Sequence, residues 1–166
     1  MSGALRHLFA VAALPFVVTL VVPFFVLDPH FGVPATPLAW AAVALGAAFG
    51  AVGLTLFASS LRRFAVEGDG TLAPWDPPRR LVATGPYRRV RNPMISGVVF
   101  VLFAEALSLR STAHGLYALA FLVLNAVYIP LFEEPGLVDR FGDDYRRYCA
   151  NVPRFWPRLR PWDDRS

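Results

Sequence analysis

The chain has 166 residues, 55% of them hydrophobic, with a mean hydropathy of +0.46. That length suits a single domain over residues 1–166, and the composition is too apolar for an ordinary soluble one. The net charge is +4 and all 16 basic residues are Arg. Because they sit beside apolar runs, they point to lipid headgroups and membrane topology and away from nucleic acid.

Cys149 is alone, which excludes an internal disulfide and a Cys-based metal cluster. His7, His30 and His114 are scattered without ligand spacing, so no metal site is expected.

Leu8 to Leu27 is an apolar run of 20 residues, interrupted only by Pro15, Thr19 and Pro23. At about 1.5 Å per residue it matches the thickness of a bilayer core. It is too long for a cleaved signal peptide and is followed by further apolar runs, so a kinked spanning helix is expected. Asp28 to Pro37 is a turn without Arg.

Leu38 to Leu61 is a second span, whose Gly46, Gly50 and Gly53 offer a small-residue surface for close helix packing. Arg62 and Arg63 end it, and a polar loop runs to about Thr84. Gly68-x-Gly70 in that loop is no dinucleotide fingerprint, since no strand precedes it and no third glycine follows.

Met94 to Leu109 is a short third span that contains Glu105. An ionisable group at such depth is costly, and the expectation is that Glu105 bonds to a neighbouring helix or reaches the far surface. A tight connection at Arg110 to His114 predicts an antiparallel hairpin with the fourth span, Thr112 to Phe132.

Seven arginines lie in the middle loop, most of the others follow Phe132, and the two opposite connections hold only Arg110. The middle loop and both termini are therefore expected in the cytoplasm. After Phe132, the residues Leu137, Val138, Phe141, Tyr145 and Tyr148 fall on one helical face. This predicts an amphipathic helix against the cytoplasmic membrane face. The Arg- and aromatic-rich stretch Val152 to Trp162 has the composition of an interfacial anchor. The expected fold class is all-α and integral to the membrane, with about four transmembrane helices plus that amphipathic helix.

Two polar blocks, 79–97 and 133–154, converge on one rim. The first holds Gly85-Pro-Tyr-Arg-Arg-Val-Arg-Asn-Pro93, in which Pro86 and Pro93 set turns. The second holds Glu133-Glu134, then Phe141-Gly-x-x-Tyr-x-x-Tyr148 and Val152-Pro-Arg154. In this order, around a short apolar hairpin, the blocks resemble the membrane-embedded methyltransferases related to isoprenylcysteine carboxyl methyltransferase and the phospholipid methyltransferases. Gly70-Thr-Leu-Ala-Pro-Trp-Asp-Pro-Pro78 is similar to a loop of some bacterial members.

The resemblance implies S-adenosylmethionine as methyl donor, bound without a Rossmann fold. It places Arg80, Leu81, Val82, Gly85 and Tyr87 along the cofactor, Asn92, Pro93, Met94 and Ile95 on one wall, and Glu133 or Glu134 opposite. Asn92 stands where the carboxyl methyltransferase branch has His, and no basic residue directly precedes Glu133. Both departures argue against a prenylcysteine carboxylate as acceptor, and no catalytic residue is assigned.

The expected activity is methyl transfer to an apolar or lipid-linked acceptor at the cytoplasmic face of a bacterial inner membrane, with membrane lipids as the surroundings. The competing readings are a non-catalytic membrane protein packing into a larger complex and, less well supported, a transporter. The methyl acceptor and the oligomeric state are left open.

Overall fold

In the computed structural model, residues 14–27, 29–67 and 81–163 are described, with only the backbone at 64–67. The described residues are helices joined by turns, with no strand among them. The helices are α1 (Val17–Val26), α2 (Pro37–Glu67), α3 (Pro93–Leu109), α4 (Thr112–Tyr128) and α5 (Glu134–Asn151).

The wide winding of α1 is π-type and contains Pro23. A π-helical turn, Ile129–Glu133, carries α4 directly into α5. Pro130 sits in that turn and has no N–H to give to the ladder, so the chain rewinds there and does not simply stop. Gly142 (φ +57°) later kinks α5.

Local chemistry sets the other helix ends. Thr36 caps α2, its Oγ1 accepting the Ala39 amide at 3.2 Å, and Pro37 occupies the first helical position. The α3–α4 connection is two residues long. There Arg110 takes φ +53°, and the amides of Arg110 and Ser111 bond Leu107 and Ala106 carbonyls at 3.3 and 3.1 Å. That paired closure of a helix end ordinarily uses Gly. Here the Arg110 side chain donates from Nη2 to the Gly32 carbonyl at 2.6 Å, an interaction that a glycine has no side chain to make.

Two helices are long and apolar enough to cross a membrane: Pro37–Arg63 and Thr112–Asn151. Only 17% and 11% of their most apolar windows are buried, so their apolar surface faces outward and does not form a soluble core. Leu14–Val26 and Pro93–Leu109 are shorter apolar helices. The expected first span begins at Leu8, and its residues 8–13 lie outside the described residues, as does the loop from Gly68 to Arg80.

The chain divides into two compact units. The first comprises Met1–Thr55 with Gly97–Val123, and the second Leu56–Ser96 with Leu124–Ser166. In the first, α2 meets α3 at its glycines. A Cβ on Gly46 would collide with Ser108 Oγ and lie 2.9 Å from the Ala104 carbonyl oxygen. One on Gly53 would lie 2.7 Å from the Gly97 carbonyl oxygen.

His114 is buried in this unit, and its Nε2 is 3.2 Å from the Pro23 carbonyl. A carbonyl only accepts, so Nε2 carries the proton and Nδ1 accepts from Ser111 Oγ at 2.8 Å. This histidine is a structural link between α1 and α4. Glu105 is half-buried, and its Oε2 is buried without a hydrogen-bond partner among the described residues.

The second unit centres on Tyr145, Tyr148 and Val152, with Leu81, Ala83, Leu137, Val138, Phe141, Cys149 and Trp162 packed against them. The apolar face of α5 thus packs onto this core.

The glycine contacts predict opposite outcomes at neighbouring positions. Gly53→Ala pushes on backbone and should destabilise by about 1–3 kcal/mol. Gly50→Ala, whose Cβ would sit at an ordinary 3.5 Å from Ala104 Cβ, should be neutral or slightly stabilising. Thermal unfolding in detergent distinguishes them, and equal effects would show that the close approach is not required.

Candidate functional site

The site is built on the short 3-10 turn Gly85–Arg88 of the second unit. Thr84 is extended, Gly85 takes φ +54°, and Pro86 follows, buried. Its positive φ is what requires glycine here; a Cβ would also meet Arg63 Nε at 2.8 Å, but that flexible side chain can shift.

The turn presents Tyr87, which is held at two points. Tyr148 Oη donates to the Tyr87 carbonyl at 2.7 Å, and the Tyr87 hydroxyl shares a 2.9 Å hydrogen bond with the buried Ser60 Oγ of α2. Burial first, then the neighbouring phenols Tyr87 and Tyr145, push the Tyr148 hydroxyl up, so it remains a donor near neutral pH. Tyr87 is raised as well. Burial is the largest cause, the Ser60 hydrogen bond opposes it, and the charge of Glu133 adds to it. Glu133 is exposed at the end of the π-turn, and its carboxyl is itself raised, by desolvation first and then by the neighbouring charge of Glu134.

The turn is also held from behind. Residues 153–162 form a strap whose backbone pairs with residues 88–92. The Arg91 amide bonds the Pro153 carbonyl at 2.8 Å and the Asn92 amide the Arg154 carbonyl at 3.3 Å. The Arg158 and Trp162 amides bond the Arg89 and Arg88 carbonyls at 2.9 and 2.8 Å. Asn92 begins α3: its carbonyl accepts the Ser96 amide at 2.9 Å, and the buried Pro93 takes the first helical position. Ser96 Oγ donates to the Phe155 carbonyl at 2.9 Å, tying α3 to the strap again.

Glu134 locks these pieces together. Arg154 donates to both its oxygens, Nε to Oε1 and Nη2 to Oε2, each at 2.8 Å. Arg91 Nη1 lies 2.9 Å from Oε1 and also donates to Cys149 Sγ at 2.7 Å. Burial alone would raise the Glu134 carboxyl. The Arg154 hydrogen bond and the two guanidinium charges overcome it and hold the group below the usual carboxylate range. Arg91 Nε is buried and meets no hydrogen-bond acceptor among the described residues.

Of the residues expected in the site, the second unit brings together Gly85, Tyr87, Asn92, Pro93, Glu133 and Glu134. Met94 and Ile95 follow on the first turn of α3, half-buried. Leu81 packs on the tyrosine core and Val82 beside it in sequence is half-buried. Arg80 lies outside the described residues. Ser60, Arg91, Tyr148 and Arg154 belong to the arrangement although sequence reasoning assigned them no site role. Arg154 and Tyr148 stood in the second motif, while Ser60 sits unmarked near the end of an apolar run.

The chain matches the phospholipid methyltransferase family over residues 41–144, well over half its length. It is a member of that family of membrane methyltransferases, as the two motifs led one to expect. No curated protein and no solved structure matches the chain. The family match includes the turn and both glutamates and stops short of the strap.

Because the Glu134 carboxyl is depressed when folded, its contribution is complete above its unfolded value of about 4.3. It is lost as pH falls through the lower folded value. Glu134→Gln should therefore cost roughly 2–4 kcal/mol at pH 7 by leaving two guanidinium groups under-compensated. The gap from wild type should shrink in acid. A difference in thermal stability that stays constant from pH 7 to pH 3 would show that the charge is not what holds the strap.

Proposed function

We propose that the protein transfers a methyl group from S-adenosylmethionine to an apolar or lipid-linked acceptor at the cytoplasmic face of a bacterial inner membrane. In this reading it is a single domain with four spans, 8–27, 38–61, 94–109 and 112–132, and both termini in the cytoplasm. The observation that carries the proposal is the doubly held turn that fixes Tyr87, lying within the family-matched segment that also contains Glu133. A sulfonium cation is stabilised by a nearby carboxylate and by an aromatic face.

The other donors fit the same cofactor. The unpartnered Arg91 Nε suits its carboxylate, and the Asn92 amide suits a hydroxyl or ring nitrogen. Arg80, Leu81, Val82, Gly85, Pro93, Met94 and Ile95 would line the remaining walls. Glu134 would act by holding Arg91, since its own oxygens are already engaged.

When bound, the cofactor supplies an already activated methyl electrophile. The protein's task is then orientation and exclusion of water. Ser60 and Tyr148 fix Tyr87, while Glu134 and Arg154 fix the strap behind Asn92. Asn92 does not titrate near neutral pH, so it is assigned to binding and not to proton transfer. An acceptor that arrives ionised needs no base, and a neutral amine releases its proton to water after transfer.

The packing-partner reading fares worse on one specific point. Gly46 and Gly53 are covered by this chain's own α3, so that stripe is used internally.

Calorimetric titration of detergent-purified protein with S-adenosylmethionine should show binding. Tyr87→Ala and Glu133→Gln should each weaken it about ten- to a hundred-fold while the fold persists. A folded wild type that does not bind would overturn the proposal, and unchanged affinity in both variants would move the cofactor elsewhere. For topology, reporter fusions after Pro34 and Ser111 should both report the side opposite the cytoplasm; a cytoplasmic signal at both would reverse the assignment.

A further inference from the structure

We propose that the strap 153–162, with the Arg89 side of the turn it pairs with, is a binding surface for the headgroups of anionic phospholipids in the surrounding bilayer. The strap is no loose tail, because four backbone hydrogen bonds pin it to residues 88–92. Trp162 and the preceding Val152 pack inward against the tyrosine core. On this pinned backbone, Leu159 is nevertheless 91% exposed and Trp156 69% exposed. An ordered segment that holds a leucine and a tryptophan outward has a use for them, and an indole beside arginines suits the headgroup level of a membrane.

The charge on the same surface selects the lipid. Residues 152–162 contain three arginines and no acidic residue, and Asp163, the next residue, is taken up by Arg88 at 3.4 Å. Glu134 compensates Arg154. Arg158 Nη1 donates instead to the Asn151 carbonyl at 2.6 Å, and Arg89 Nη1 donates to the Leu159 carbonyl. A carbonyl satisfies a hydrogen bond without neutralising a charge, and each guanidinium keeps further N–H donors. Arg89 and Arg160 are exposed. The surface therefore offers planar cations suited to phosphate oxygens, with apolar side chains between them that suit the adjoining acyl region. A soluble anion would leave Leu159 and Trp156 in water. A bilayer headgroup satisfies both features.

The test reads lipid contact and is independent of activity. The full chain is placed in nanodiscs containing equal fractions of either brominated phosphatidylglycerol or brominated phosphatidylcholine. Trp156 fluorescence is taken as the difference between wild type and Trp156→Phe. Phosphatidylglycerol should quench it several-fold more strongly than phosphatidylcholine. Arg160→Gln should reduce that preference by up to about fivefold, the contribution of one cation near an anionic surface.

Leu159→Trp in the Trp156→Phe background supplies a second reporter, which should show the same preference. Equal quenching by the two lipids would overturn the proposal, leaving only an apolar anchor. So would a preference that survives Arg160→Gln undiminished. No quenching by either lipid would overturn it too, since the strap would then face water or another protein.

Discussion

The second unit depends on one carboxylate. Glu134 stands where α4 has rewound through a π-turn into α5, and it receives two hydrogen bonds from Arg154 and an ion pair from Arg91. Those two arginines belong to the strap and to the segment after the Gly85–Arg88 turn. A single half-buried anion thus adds a charged tie among three pieces of chain that the strap's backbone hydrogen bonds and the tyrosine core also hold together. Removing it would leave two cations facing each other in a poorly solvated place, which is why this kind of contact is felt well beyond its own hydrogen bonds.

The geometry of Tyr87 follows from that junction. Once residues 88–92 are pinned to the strap, the turn before them has little freedom, and Tyr148 and Ser60 settle the carbonyl and hydroxyl of Tyr87. Donors and acceptors fixed in advance cost nothing to organise when a ligand arrives. For a methyltransferase, whose donor brings its own electrophile, such fixed geometry is the main thing a protein can contribute. The glutamate pair divides accordingly: Glu134 is engaged with the two arginines, and Glu133 beside it is exposed.

The first unit rests on a different constraint, the distance of closest approach between α2 and α3. Gly46 and Gly53 allow side chains and carbonyls of α3 to come within reach of the α2 backbone, where any Cβ would collide. In an environment as apolar as the helices themselves, such tight packing takes the place of the hydrophobic effect as the force between them. His114 and Arg110 add polar links, one to the Pro23 carbonyl of α1 and one to the Gly32 carbonyl of the exposed connection that follows it.

Much of this was legible along the chain. Apolar run length is a local property, so the helices at Leu38–Leu61, Met94–Leu109 and Thr112–Phe132 could be marked to within a few residues. α2 ran further than its apolar part, to Glu67, and the fourth helix continued through the π-turn without a break to Asn151. The glycine stripe, the proline-set turn and the order of the two motifs are likewise properties of short windows, and they led to the family.

What neighbours in sequence could not reveal were the partners. Ser60 lies 27 residues from Tyr87, Tyr148 lies 61 away, and Arg154 lies 20 from Glu134. A serine at the end of an apolar helix looks the same whether it caps, idles or holds a functional tyrosine. Two adjacent glutamates look equivalent until folding places arginines on one and leaves the other exposed. The α5 face illustrates the same limit: periodicity showed that Leu137, Val138, Phe141, Tyr145 and Tyr148 share a side, and only the tertiary structure showed that this side closes on the tyrosine core. Periodicity records which residues avoid water, and packing alone decides what they meet.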